Sequence, residues 1–561
     1  MQRSLPDMAS TRFDVLVIGG GITGAAIAWD ASLRGLTVGL IEKADFGHGT
    51  SAATSKLIHG GLRYLKHGQL GVVRASLRER RIMQTITPHL VYPLPFLIPA
   101  TGYGTAGPAP LLAAAILYNA LSYGRDGVPH ADQHVPAARL LDRDAVLRRA
   151  PSLRPLHPTG GLFYYDCQMY DAGRHVLAFL RSATDYGAAV ANYAAATGLL
   201  TSQDAVRGVV ARDAQTGACY PLTAPVVVNA TGPWADGVLQ QFGLPRATHL
   251  QRSKGIHILT RAIDPPNQAL GLRTPNGRHL FILPWQGHAL IGTTDVPFEG
   301  SPDEPLVTRQ DVVQFIATVN ATYPPADLSA DDVEHAYGGL RPIAATQPGQ
   351  STYGASRRYE VDDHARDGRA GLFTVVGGKY TTARALAETL VDRVLTYLQR
   401  PPIACSTRST PLVSGATGAF PAFLHRMRSQ YPDVPAVVRH HLSRCYGQRL
   451  PDVMALVDVD PSLAEPIVPG RPDIWAQVEY AMDAEMARRL ADVVHRRTGL
   501  GGVGPVAEDA LHAIARRMAD RLGWSGKRIA DEVAHTRSTF AWGPASPSYP
   551  SPPYASLSLS E

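Results

Sequence analysis

Several features that would place this 561-residue chain quickly are missing from it. No stretch approaches the roughly 20 consecutive apolar residues that cross a bilayer, so the protein is expected to be soluble or peripheral. The N-terminus lacks the apolar core of a secretion signal, and a first strand begins by Phe13, so no cleavable leader is expected. The four cysteines, Cys167, Cys219, Cys405 and Cys445, are scattered without a CxxC pair. That argues against a zinc site or a disulfide framework, and no metal is expected. Charged residues make up only 18% of the chain, and no run interleaves basic with aromatic residues as a nucleic-acid groove does. No internal repeat is visible. Glycine and proline are plentiful, at 52 and 44, which suits an enzyme with many functional loops. The length predicts two or three domains. The balance of 54 basic to 48 acidic residues is mildly basic, compatible with an anionic substrate or membrane surface.

Two strand–glycine turn–helix units stand out, far apart in the chain. In the first, Val15, Leu16, Val17 and Ile18 form the continuous apolar run of a parallel strand buried on both faces. Gly19 permits a tight turn, Gly21 lets the backbone approach a pyrophosphate, and Gly24 lets the following Ala-rich helix pack on the strand. Ile22 and Thr23 open that helix, whose N-terminal N–H groups and dipole suit phosphates. A second strand, Thr37 to Ile41, ends at Glu42 and Lys43, and the Glu42 carboxylate can accept hydrogen bonds from ribose hydroxyls. This spacing predicts a dinucleotide site.

The residues after this second strand bear on which dinucleotide it is. A nicotinamide enzyme would continue with further parallel βα units. Here residues 47–61, GHGTSAATSKLIHGG, are rich in small, hydroxyl and basic residues. Thr50, Ser51, Ser55 and Lys56, then Leu57, His59, Gly60 and Gly61, can lie along an extended cofactor, which suits FAD better than NAD. The second unit is the strand Leu372 to Val376, the turn Gly377-Gly378-Lys379 and a helix from about Thr381. Its N-terminus, with Gly378, Lys379, Tyr380 and Thr381, suits the negative charge that develops near N1 and the C2 carbonyl of a reduced flavin. Thr231 and Gly232, after the buried-type strand Val226 to Ala230, are expected near the adenosine end.

Elsewhere, Leu62 to Met83 reads as one helix with Leu70, Val73 and Leu77 on one face and Arg74, Arg78 and Arg81 on another. That basic face is either solvated or a contact to anionic headgroups. LLAAAILYNAL at 111–121, isolated by Pro108-Ala109-Pro110, is a helix too short to span, either core or membrane-dipping. Strands dominate 161–258, and apolar runs flanking Gln286-Gly287-His288 predict a hairpin, so an antiparallel sheet is expected on the substrate side. Pro411 to Tyr431 marks a boundary. Beyond it Pro435 to Gly447 and Pro472 to Thr498 read as helices, the latter with Val478, Met482, Met486 and Leu490 as its apolar stripe. The Ser/Pro/Tyr-rich end reads as a disordered tail.

Six segments together resemble one family: VIGGGITGAAIAWDASLRGLTVGLIEK at 17–43, TSKLIHGGLRYL at 54–65, NATGPWAD at 229–236, GTTDV at 292–296, GGLRP at 338–342 and VGGKYTTAR at 376–384. The chain is similar here to the FAD-dependent glycerol-3-phosphate dehydrogenases. These oxidise sn-glycerol 3-phosphate to dihydroxyacetone phosphate, by hydride transfer from C2 to flavin N5, and pass electrons to membrane quinone. TSKLIHGGLRYL is the specific segment; the first glycine turn and the ATG turn are shared with wider flavoproteins. The resemblance covers about 13–400 and implies an α/β fold. Its parts are a Rossmann-like FAD-binding domain of the glutathione-reductase/amine-oxidase type over 13–405 and an interleaved antiparallel-sheet substrate or cap domain at about 64–160 and 240–345. A helical C-terminal domain at 411–540 and a tail at 541–561 complete the chain.

The resemblance also assigns site residues. Arg63 and Arg341 are implied as phosphate- or substrate-binding arginines, since a phosphate favours forked guanidinium donors. Arg357, in SRRY at 356–359, falls where the family also has an arginine, although Arg358 stands where an acid is usual. His59 and His257 both match histidines around the substrate, and either can serve as the base that takes the hydroxyl proton. Lys379 resembles a lysine near flavin and substrate and joins Arg341 in the catalytic set, with Thr381 beside the substrate. The likeness is to bacterial members, which are cytoplasmic, peripheral on the inner face of the membrane and commonly homodimers. The calcium-binding hands of animal members are not expected, because Asp458-Val459-Asp460-Pro461 lacks their ligand spacing. Three alternatives stay open: a glycerol-3-phosphate oxidase using O2, an amine or amino-acid oxidase, and a non-catalytic flavin-binding protein.

Overall fold

The computed structural model describes residues 1–125, 127–245, 250–344 and 358–542. Arg357 and the 543–561 part of the expected tail lie outside the described residues.

The apolar runs form the central sheet. Val15–Ile18 pairs in parallel with Val38–Ile41 on one side and Val226–Asn229 on the other, and all three strands are fully buried. Leu372–Gly377 continues the sheet in parallel, Tyr359–Asp363 closes that edge antiparallel, and Ala189–Ala191 closes the other. Residue alternation sends Val15 and Val17 to one face and Leu16 and Ile18 to the other. The first pair packs with Trp29, Phe179 and Leu390 of the helices Ile22–Leu33, Ala172–Asp185 and Ala383–Tyr397. The second pair packs on Val206, Val209 and Leu222 of a three-stranded antiparallel meander. Because neighbouring strands run parallel, the glycine turns after Ile18 and in 377–378 emerge at the same, carboxyl edge. Gly24 does what its spacing predicts: a Cβ there would lie 1.9 Å from the Gly19 carbonyl oxygen.

A second, ten-stranded sheet is built on the antiparallel pair Leu250–Arg261 and Val333–Ala344, with Val91–Thr101 and Pro158–Met169 at its far side. The expected hairpin is present as His279–Trp285 and His288–Gly292. Helices from Phe420 onward form two further apolar clusters. They are tied to the first glycine unit by a buried charge cluster in which Asp45 accepts from Arg497 (2.8 Å) and from Arg496. Against the upward push of burial, these two guanidinium groups hold the Asp45 carboxyl well below the usual range.

The structure departs from the sequence-based expectation in four places. The helix expected over 62–83 is a 3-10 segment, Leu62–His67, and a separate helix, Leu70–Ile86, split at Gly68 with φ +66°. Its basic face is solvated only in part: Arg74 donates to the carbonyls of Leu121 and Tyr123 (2.9 and 2.8 Å) and Arg81 to that of Gly124, while Arg78 beside Glu79 keeps much of its side chain exposed. The strand-dominated stretch contains the helix Ala172–Asp185. Finally, 472–498 is not one helix; Trp475–Ala484 stops before Met486 at φ +56°, and the chain resumes at Leu490. The break frees the Glu485 carbonyl for Arg497 (2.9 Å) and the Met486 carbonyl for Asn192 (2.9 Å), while all four stripe residues stay buried.

Burial makes the fold acid-sensitive. It pushes His175 down to about 3; burial with Lys56 pushes His335 to about 4, and burial with Arg496 pushes His495 to about 3. Unfolded, each would bind a proton below its ordinary value of 6.5. The unfolded chain therefore binds more protons between pH 6.5 and 4, and stability falls with pH there by up to about 1.4 kcal/mol per pH unit for each histidine. Urea unfolding at pH 7.5 and 5.5 should show a lower midpoint at the acid value; equal midpoints would contradict this.

Candidate active site

A cavity of about 600 Å3 opens at the carboxyl edge of the parallel sheet and is lined by both glycine units. Gly19, Gly21, Ile22, Thr23, Glu42 and Lys43 come from the first unit, and Gly378, Lys379, Tyr380 and Thr381 from the second. Thr50, Ser51, Ser55 and Leu57 run along its wall, Thr231 and Gly232 extend from their strand into it, and His59, Arg63, His257 and Arg341 complete the lining. Four expected cofactor contacts do not line it. Gly24 serves helix packing. The Lys56 ammonium turns away to the Ala52 carbonyl (2.6 Å) and sits over the rings of Tyr337 and Trp285. The Gly60 N–H is taken by Asp166 (2.8 Å), and Gly61 makes a left-handed turn at φ +76°.

Local sequence explains the geometry of the first unit. The Glu42 carboxylate accepts from the N–H groups of Gly20 (2.7 Å) and Ala44 (2.9 Å), which braces the turn, and its remaining lone pairs can still meet a ribose. Ser51 Oγ accepts from the Ile22 N–H (3.0 Å) at the helix start. Around the same region Asp303 accepts from Lys43 Nζ (2.7 Å) and Trp234 Nε1 (2.8 Å), and the Lys43 ammonium lies 4.5 Å from the Trp234 ring.

Strand register assembles the second group. His257 pairs with Tyr337 and Ser253 with Arg341, so these four side chains share one face of the antiparallel pair. His257 stacks on Tyr337 (ring centroids 5.1 Å) and shares a 2.8 Å hydrogen bond with Ser55 through Nε2. The Arg341 guanidinium reaches Thr293 Oγ1 (2.7 Å) and the Thr294 carbonyl (3.1 Å). Lys379 donates to Ser76 Oγ (2.6 Å) over the ring of Tyr64, and the His59 N–H donates to Thr381 Oγ1 (3.3 Å). Burial, Lys379, Arg63 and Arg80 push His59 down to about 3, and burial with Arg341 and Lys56 pushes His257 well below its ordinary value. Both imidazoles are therefore neutral at pH 7 and able to accept a proton.

Sequence reasoning missed several lining residues. Trp234 stands inside NATGPWAD and Thr293 and Asp295 inside GTTDV, but no role emerged from their spacing. His279 and Phe281 alternate on one strand of the hairpin and face the cavity together; a histidine in an apolar run was their only signal. Tyr64, directly after Arg63, belongs with them.

The residues present fit an extended dinucleotide. A Cβ added at cavity-lining Gly232 or Gly237 would meet nothing within 4 Å, so backbone lies open to the space, and the volume falls within the range of cofactor sites.

Known proteins similar to this chain identify its family. Residues 14–393 match the family described as FAD dependent oxidoreductase, and 405–529 match the C-terminal domain of alpha-glycerophosphate oxidase. Glycerol-3-phosphate dehydrogenase of Synechocystis is 36% identical over 552 residues, covering 95% of this chain and 97% of that protein. Glycerol-3-phosphate dehydrogenase 2 of Mycobacterium bovis is 36% identical over 538 residues, covering 94% and 88%. The crystal structure of glycerol-3-phosphate dehydrogenase from Bacillus halodurans complexed with FAD superposes with TM-score 0.77 at 28% identity, over 96% of this chain and 97% of that one. The expected α/β architecture and FAD as cofactor both stand. The chain belongs to the FAD-dependent glycerol-3-phosphate dehydrogenase family.

Proposed function

We propose that the protein oxidises sn-glycerol 3-phosphate to dihydroxyacetone phosphate and delivers the electrons to a membrane quinone. The observation that carries this reading is the meeting of Arg341, Arg63 and Lys379 with two neutral histidines on one cavity, beside the second glycine turn. A polyol phosphate needs both halves of that arrangement. The guanidinium groups supply charge-assisted donors for a dianion, each roughly twice as strong as a neutral hydrogen bond. His59 or His257 accepts the C2 hydroxyl proton as C2–H departs. Lys379 and Thr381 hold the substrate oxygen at that wall. Bound FAD, held by the first unit and by the 50–57 wall, supplies the hydride acceptor. A simple amine carries no anion for these groups to bind, and an amino acid's single carboxylate uses fewer of their donors than a phosphate dianion does.

The surface supports a peripheral membrane contact. No helix among the described residues is long and apolar enough to cross a membrane. The helix Pro108–Leu121 carries no charged residue, exposes Leu112 (45%) and Ile116 (63%), and is flanked by exposed Tyr103 and Tyr123. One face, with Ala115 and Tyr118, packs into the core, while the composition of the exposed face suits an interface between water and lipid.

Anaerobic addition of sn-glycerol 3-phosphate should bleach the flavin, and ubiquinone or menaquinone should restore it faster than air. Rapid recovery in air with stoichiometric peroxide, and none with quinone, would assign an oxidase instead. Arg341→Ala should raise KM for glycerol 3-phosphate about 10- to 100-fold while FAD content stays unchanged; wild-type kinetics would remove Arg341 from the site. His59→Ala should slow bleaching in anaerobic stopped flow by about 10²–10⁴-fold, whereas a wild-type rate would transfer the proton to His257.

A further inference from the structure

One buried carboxylate behind the cavity wall has no part in the proposed binding of flavin or substrate. Asp166 lies on the strand Pro158–Met169 and is 2% exposed. The short strand Leu57–Ile58 pairs against it with Leu57 opposite Gln168 and Ile58 opposite Cys167, which brings the following residues, His59 and Gly60, up to Asp166. Its Oδ1 accepts three hydrogen bonds, from the Gly60 N–H (2.8 Å), the Tyr118 hydroxyl (2.9 Å) and Arg80 Nη1 (2.6 Å). Residue 60 must be glycine for this approach, since a Cβ would stand 2.3 Å from the Tyr118 oxygen and 2.4 Å from Leu77 Cδ2. On its other side the His59 N–H is held by Thr381 of the second glycine unit.

We propose that Asp166 is a positioning residue for the oxidation: its carboxylate fixes the His59–Gly60 peptide at the cavity wall and neutralises Arg80 behind it. This rests on the proposed reaction with His59 as proton acceptor. A neutral amide could brace a peptide as well, so the charge asks for a further reason. Arg80 is itself buried, and it donates also to the Tyr165 carbonyl (2.9 Å). An uncompensated guanidinium there would add to Arg63 and Lys379 and make His59 a still poorer base. Arg80 already lowers His59 with the carboxylate beside it, and removing that carboxylate would leave its push larger. Tyr118, from the exposed helix Pro108–Leu121, completes the cage and fixes which carboxylate oxygen faces Gly60.

The test is steady-state and stopped-flow kinetics on FAD-loaded variants. Asp166→Asn should lower kcat about tenfold or more, with KM for glycerol 3-phosphate and FAD content within about twofold of wild type. The acid limb of its kcat/KM profile should move to lower pH, because Arg80 then acts on His59 unopposed beside Lys379 and Arg63. Asp166→Glu should recover part of the loss, and Tyr118→Phe should show a smaller loss in the same direction. Should Asp166→Asn fail to fold, Tyr118→Phe and the double variant Arg80→Met/Asp166→Asn decide the matter through kcat at constant FAD content. Wild-type kcat and an unmoved pH profile in these variants overturn the proposal. If the wild-type flavin is not bleached by glycerol 3-phosphate at all, the underlying reading fails instead.

Discussion

The site depends on parallel pairing in the central sheet. Val15–Ile18 and Leu372–Gly377 are separated only by Val226–Asn229, and because all three run the same way, the turns at their carboxyl ends open at one edge. Neither unit alone makes the cavity. The first lines it with the backbone around Gly19 and Gly21, and the second with Lys379 and Thr381 together with a helix start. The close approach at Gly24, where only hydrogen fits against the Gly19 carbonyl, lets the helix sit low enough for its N-terminus to face the cavity.

The second sheet contributes by register. A half-buried antiparallel pair has a period of two, so any one-residue slip between Leu250–Arg261 and Val333–Ala344 would turn His257 and Arg341 to opposite faces. The arrangement that stacks His257 on Tyr337 is thus the same one that aims Arg341 at the cavity. The buried ion pairs between Asp45 and Arg496 and Arg497 then tie the helical C-terminal part to the loop after Glu42, so folding of the far helices and shaping of the cofactor wall are linked through charge.

Much of this was legible in the chain, for identifiable reasons. Glycine turns bounded by apolar runs have few conformational solutions, so Gly19, Gly21 and the 377–381 turn fell where spacing put them. The residues of 50–57 were readable as a wall because a stretch so poor in core formers had to lie against something other than the core. Lys56 departs from that expectation because composition cannot say which way a side chain turns, and a flexible amine found a backbone carbonyl and two aromatic faces. The break at Gly68 and the one before Met486 were hidden because both sides keep their helical apolar spacing, while long-range bonds, such as Arg497 to the Glu485 carbonyl, determine where the helix stops. Asp166 and Ser76 left no local signal, since their partners are distant in sequence.

The central claim is that one cavity holds the flavin between the two glycine units and presents a phosphate-bearing alcohol to it. Its most direct test is a crystal structure of the FAD-loaded protein with dihydroxyacetone phosphate or another unreactive three-carbon phosphate. The account predicts the phosphate on Arg341 and Arg63, with the C2 oxygen within hydrogen-bond reach of His59 or His257. A flavin outside the cavity, or a phosphate bound away from these arginines, would contradict it.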